Sequence, residues 1–132
     1  MQAQSLRVRD VMSTAPVSIP HDLTLEDAAR RMFEHSIRHL PVFESGHLVG
    51  LVSSRDLAVL DSIPGVDTSK VLIEQAMTQG AHTCGPEDPL VDLIRVMVDK
   101  KVTSAVVMER GELIGIVTTI DALALFLNYI EE

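Results

Sequence analysis

Two short stretches carry the polar side chains best suited to chemistry, Ser53-Ser-Arg-Asp56 and Thr118-Thr-Ile-Asp121. Each sets a hydroxyl three positions before a carboxylate. An ionised carboxylate accepts hydrogen bonds from two neighbouring hydroxyls, such as those of a sugar, with charge-assisted strength. Asp56 and Asp121 are therefore candidate ligand residues. Where a strand turns into a helix, the orphan backbone N–H groups and positive dipole end also suit phosphate oxygens, which brings in Ser53 and Thr118. The same spacing describes a plain capping box, and the two roles are compatible. Arg38 supplies a fork of donors, His39 a ring donor, and Arg55 a second guanidinium.

No nucleophile with an adjacent base can be named, so catalysis is not expected and no catalytic residue is assigned. His21, His35, His39, His47 and His82 lack the paired spacing of a metal site and are expected to be mostly solvated. Cys84 is the one cysteine, so an internal disulfide and a thiolate cluster are excluded, and it reads as a small apolar residue.

The elements that must position these residues come from a repeat. Val8 to Leu57 aligns without a gap on Ile73 to Ala122 at a constant offset of 65, with identities that include Met12 and Met77, Asp27 and Asp92, Gly46 and Gly111, Gly50 and Gly115, and Asp56 and Asp121. In each half apolar residues recur at helical spacing, Leu25, Ala28, Ala29, Met32 and Phe33 against Leu90, Leu93, Ile94, Met97 and Val98. Thr24 is expected to cap the first helix and Pro89 to occupy the first helical position of the second. A hairpin follows, His39–Phe43 and Leu48–Ser53 around Gly46, repeated around Gly111. Short segments at Val17–Ile19 and His82–Cys84 offer one further strand each, so the expected order is β-α-β-β-α, twice. Pro64-Gly65 marks a turn in a linker-like stretch, which divides the chain into residues 1–62, a linker at 63–70, and residues 71–132.

With 132 residues, two such halves are too small to bury enough surface alone and are expected to share one compact body. A hydrophobic share of 46% with only 3% aromatics makes the core aliphatic. A net charge of −8, from 11 Lys and Arg against 19 Asp and Glu, repels a nucleic-acid backbone but leaves room for a small anion held by locally converging basic residues. The N-terminus lacks a signal-like apolar run, and no stretch is long and apolar enough to span a membrane, so a cytoplasmic location is expected.

Val8-Arg-Asp-Val-Met12, Arg38-His-Leu-Pro-Val42, Gly46-His-Leu-Val-Gly50 and Ser53-Ser-Arg-Asp56, with their counterparts in the second half, together resemble the CBS domain family over nearly the whole chain. The resemblance implies an α/β (α+β) architecture, two β-α-β-β-α repeats packed through their sheets with pseudo-two-fold symmetry around two related clefts. It also implies a regulatory module that binds AMP, ADP, ATP, S-adenosylmethionine, NAD or cyclic di-AMP, with no obligatory cofactor. By the family pattern, Asp56 and Asp121 hold the ribose, Ser53 and Thr118 face a phosphate, and Arg38 and His39 reach phosphates. The second half has Thr103 and Ser104 in place of Arg38 and His39, and Ile120 in place of Arg55, so the clefts are expected to be unequal. Segments such as Ala15–Ile19 and Ala81–Cys84 would supply an apolar adenine slot. The implied partners are a second copy, in a disc-like homodimer, and an unidentified regulated protein. The competing reading is a ligand-independent scaffold, suggested by the apolar tail from Leu123 to Ile130.

Overall fold

The computed structural model describes residues 5–14 and 17–132. In chain order the described elements include a 3-10 turn Val8–Asp10, β1 (Ser13–Thr14), β2 (Ile19–Pro20), α1 (Leu25–His35), β3 (His39–Glu44), β4 (His47–Ser53) and α2 (Ser54–Asp61). There follow α3 (Ile73–Ala76), β5 (Thr78–Gln79), β6 (Thr83–Cys84), α4 (Leu90–Lys100), β7 (Ser104–Glu109), β8 (Glu112–Thr118) and α5 (Thr119–Glu131). The repeat read from sequence is thus repeated in structure, with mixed α and β elements in both halves.

Two compact units result, and each includes the first segment of the other half of the sequence. Val17–Ala81 form one unit, whose sheet runs β2-β3-β4-β5; the described residues before Val17 join His82–Glu132 in the other, whose sheet runs β1-β8-β7-β6. In both sheets the central pair is an antiparallel hairpin, flanked by one parallel and one antiparallel short strand. Residues at 63–70 are fastened to the first unit, where Thr68 and Val71 carbonyls accept from the Glu26 and Leu25 amides.

The hairpins turn tightly because two successive residues adopt positive φ, Ser45 and Gly46 at 50° and 81°, and Arg110 and Gly111 at 54° and 79°. That pairing matches the right-handed twist of the strands. Each unit has its own aliphatic core: Ile19, Leu25, Ala28, Met32, Leu40, Val42, Val52 and Ile73 in the first, and Leu6, Val8, Leu90, Leu93, Met97, Ala105, Val107 and Val117 in the second.

The buried helix stripe is narrower than the apolar pattern. Leu25, Ala28 and Met32 are buried, whereas Phe33 is 87% exposed, and on α4 Val98 is likewise exposed. A short helix lying on a sheet of two long strands touches it along one line, so flanking apolar residues stay outside. Thr24 caps α1 as expected, in a reciprocal box with Asp27 whose hydrogen bonds also hold the Asp27 carboxyl below its usual range. Pro89 instead occupies the N-cap of α4, with ψ of 130°, and Leu90 begins the helix.

The short parallel strands keep the same register in the two units, but the paired stretch starts at a different residue. Val106 in β7 donates to the His82 carbonyl and β6 pairs with Val106 and Val107. The equivalent of Val106 is Pro41, which has no N–H. Pairing in the first unit accordingly begins one residue later, at Val42 and Phe43.

Gly50 and Gly115 seat the antiparallel edge strands. A Cβ on Gly50 would lie 2.8 Å from the Thr78 carbonyl oxygen and 2.6 Å from Met77 Sδ; on Gly115 it would lie 2.8 Å from the Ser13 carbonyl oxygen and 2.7 Å from Met12 Sδ. The thioethers can move, but the carbonyls belong to paired strands. Gly50→Ala and Gly115→Ala are each expected to lower stability by about 1–3 kcal/mol, the usual cost of overpacking. Urea unfolding checks this, and adding Met77→Ala to Gly50→Ala should recover only part of the loss because the Thr78 carbonyl remains.

Candidate functional site

Strand pairing brings five of the seven candidate residues to one end of the first unit's hairpin. His39 lies opposite Ser53 in the β3–β4 register, and the Ser54 amide donates to the Arg38 carbonyl at 2.9 Å. Arg55 and Asp56 follow in the first turn of α2. Among the described residues Arg38 and Arg55 are exposed and take part in no ion pair.

The second unit builds the same corner from different chemistry. Ser104 lies opposite Thr118, and the Thr119 amide donates to the Thr103 carbonyl at 2.9 Å. Asp121 stands in the first turn of α5, and Ile120, where the first unit has Arg55, is exposed. Backbone geometry is therefore shared while the cationic side chains are confined to one unit.

Both hydroxyl–carboxylate pairs form capping boxes. The Asp56 amide donates to Ser53 Oγ at 3.2 Å and the Ser53 amide to Asp56 Oδ2 at 2.9 Å. The corresponding distances for Asp121 and Thr118 are 3.3 and 2.8 Å, with the Thr118 hydroxyl also donating to Asp121 Oδ2 at 3.1 Å. Only Oδ2 of each carboxylate is engaged, so among the described residues Oδ1 is left to accept from another molecule. Capping consumes half of each acid and holds the other half in a fixed orientation.

Several other sequence readings resolve at this stage. Val42 and Val107 are buried in the cores, while Met12 and Met77 pack their sulfurs where the strand glycines lie. Of the suggested adenine slots, Ala15 and Pro16 lie outside the described residues. Cys84 is half-buried, and burial with the nearby Asp88 charge pushes its thiol up to about 11, an environment that suppresses thiolate chemistry. His21 is not simply solvated. It sits between Glu74 and Glu44, a cluster assembled from distant parts of the chain that no local motif announces. Among the described residues no group of three His, Cys, Asp or Glu side chains is arranged to hold a metal, and no helix is long and apolar enough to cross a membrane.

The CBS domain family matches residues 8–61 and 73–128. The chain belongs to this family. The CBS domain pair of protein MJ0100, solved in complex with 5′-methylthioadenosine and S-adenosyl-L-methionine, superposes with a TM-score of 0.81 at 27% identity, covering 94% of this chain and 98% of that one. CBSX2 in complex with AMP gives a TM-score of 0.77 at 27% identity, covering 92% and 97%. The inosine-5′-monophosphate dehydrogenase of Korarchaeum cryptofilum is 35% identical over 121 residues, which is 91% of this chain and 23% of that enzyme. The CBS pair spans about a quarter of the length of the first curated relatives it matches.

Because the caps are structural in themselves, Ser53→Ala and Thr118→Ala should each cost about 1 kcal/mol of stability in the absence of any ligand. Chemical denaturation of the two variants measures that cost separately from any change in binding.

Proposed function

We propose that this CBS pair is a regulatory sensor that binds an adenine nucleotide or related adenosyl ligand and acts on a partner protein by binding rather than by turnover. The observation that carries this reading is the corner of the first unit, where Asp56 keeps Oδ1 available beside two exposed guanidiniums, Arg38 and Arg55, that no acid neutralises among the described residues. In a chain of net charge −8, cations left without acidic partners at one corner suit an anionic ligand. Asp56 and Asp121 accept ribose hydroxyls, Ser53 and Thr118 present hydroxyls at helix starts, and Arg38, His39 and Arg55 take the phosphate. The second corner, with Thr103, Ser104 and Ile120, suits an adenosyl compound without a phosphate at its 5′ end. The ligands named for the two solved relatives, AMP in one and methylthioadenosine with S-adenosylmethionine in the other, span that same difference. A ligand-independent scaffold explains the exposed apolar helices but not the cationic corner.

Regulation requires that the ligand bind one arrangement of the protein better than another. The partner that reads the change is a separate protein or a further segment joined to this module, as CBS regions are joined to larger enzymes among the relatives. We also propose that the pair assembles with a second copy of itself. On α5, Leu123, Phe126, Leu127, Tyr129 and Ile130 are exposed, and Phe33, Val59 and Val98 are exposed on other helices. Exposed apolar side chains in this number on one helix, α5, are characteristic of association.

Calorimetric titration with AMP, ADP, ATP, NAD, S-adenosylmethionine and cyclic di-AMP tests the ligand reading. Binding of at least one is expected, with Arg38→Ala weakening a phosphate-bearing ligand about tenfold to a hundredfold, the loss of one hydrogen bond from a charged donor. No heat and no thermal stabilisation from any of the six overturns it. Light scattering is expected to give twice the mass of the chain, and a monomer at high concentration rejects self-association.

A further inference from the structure

The two units fasten their first segments by equivalent joints with different chemistry. In the first unit the Glu74 amide donates to the His21 carbonyl at 3.1 Å and the Ile73 amide to the Leu23 carbonyl at 2.8 Å. In the second the Arg9 amide donates to the Pro86 carbonyl and the Val8 amide to the Asp88 carbonyl, both at 2.9 Å. Arg9 corresponds to Glu74, Pro86 to His21, and Glu87 to Asp22 at the repeat offset.

The side chains laid over this shared backbone differ. Arg9 Nη1 pairs with Glu87 Oε1 at 2.9 Å, an arginine–carboxylate bridge with no imidazole in it. At the other joint Arg9 and Glu87 are replaced by two acids, Glu74 and Asp22, and Glu44 at the end of β3 adds a third. His21 Nδ1 lies 2.7 Å from Glu74 Oε2, and Nε2 lies 3.6 Å from Glu44 Oε1. One imidazole therefore stands in for the positive charge that the second unit draws from arginine.

We propose that His21 is a protonation-gated latch that holds α3 and β5 onto the first unit, closed when the imidazole carries its charge and loosened when it does not. Doubly protonated, the ring donates from Nδ1 to Glu74 and places positive charge against Glu44 and Asp22. Singly protonated, it keeps the Nδ1 donor but turns the Nε2 lone pair toward the Glu44 carboxylate, and the acids around the ring lose their compensating charge. Hydrogen bonding to Glu74, opposed by desolvation and aided by the charges of Glu44, Glu74 and Asp22, raises the imidazole above its usual range. The sign follows: the stabilisation is fully present below about pH 6.5, where the unfolded imidazole is still charged, and is lost as pH rises through the higher folded value. The Arg9–Glu87 joint has no such dependence in that interval. The segment that loosens carries Thr78, whose carbonyl lies over Gly50, so the latch governs how firmly the edge strand is seated.

Amide hydrogen exchange of the intact chain between pH 6 and 8 tests the proposal with its own internal control. After correction for intrinsic rates, protection of the Ile73 and Glu74 amides is expected to fall at least about threefold across this range, while protection of the Val8 and Arg9 amides stays level. His21→Gln should show the low protection at every pH, and Glu74→Gln should lower the imidazole titration point seen by NMR. A His21 titration at or below about pH 6.5, or the same pH course at both joints, or a pH course that survives His21→Gln, overturns it.

Discussion

Everything in this molecule depends on the close approach of a short edge strand to a glycine in the middle of a hairpin. At Gly50 and Gly115 the neighbouring carbonyls, from Thr78 and Ser13, sit where a side chain would begin. That approach lets a segment from the other repeat complete a four-stranded sheet whose hairpin would otherwise present an open edge. It also draws Val8 and Ile73 into the cores, because each lies just before the strand that is seated. Neither repeat as written along the chain is a closed structural unit, since each supplies the other's edge.

The candidate site is a consequence of the far end of the same hairpins, where the last strand gives way to a helix. Register places position 39 opposite 53 and 104 opposite 118, and a single backbone bond, from residue 54 to 38 or 119 to 103, clamps the corner before the helix departs. The capping boxes then hold Asp56 and Asp121 by one oxygen each. A cap and the proposed ligand role need not compete, because the cap uses one oxygen of each carboxylate and leaves the other.

Equivalent backbones carry unequal side chains at three places. Pro41 against Val106 removes a donor and starts the parallel pairing one residue later; Arg38, His39 and Arg55 against Thr103, Ser104 and Ile120 change the charge of a corner; and His21 with three acids against Arg9 with Glu87 changes how a joint is held. Duplication keeps the hydrogen-bonded frame, which tolerates many side chains, and lets the functional surfaces diverge.

The sequence by itself determined the repeat, the helices, the hairpins and the family, because apolar periodicity, turn glycines and hydroxyl–acid spacing are local signals read over a few residues. It also named Arg38, His39, Ser53, Arg55, Asp56, Thr118 and Asp121 as candidates. Tertiary structure alone decided that the first segment of each half completes the sheet of the other, since two-residue strands leave no periodic pattern. Only the folded chain revealed why Gly50 and Gly115 must lack a side chain, and that His21 meets Glu74 from 53 residues away. Those features rest on contacts between distant segments, and such contacts exist only once the backbone has closed.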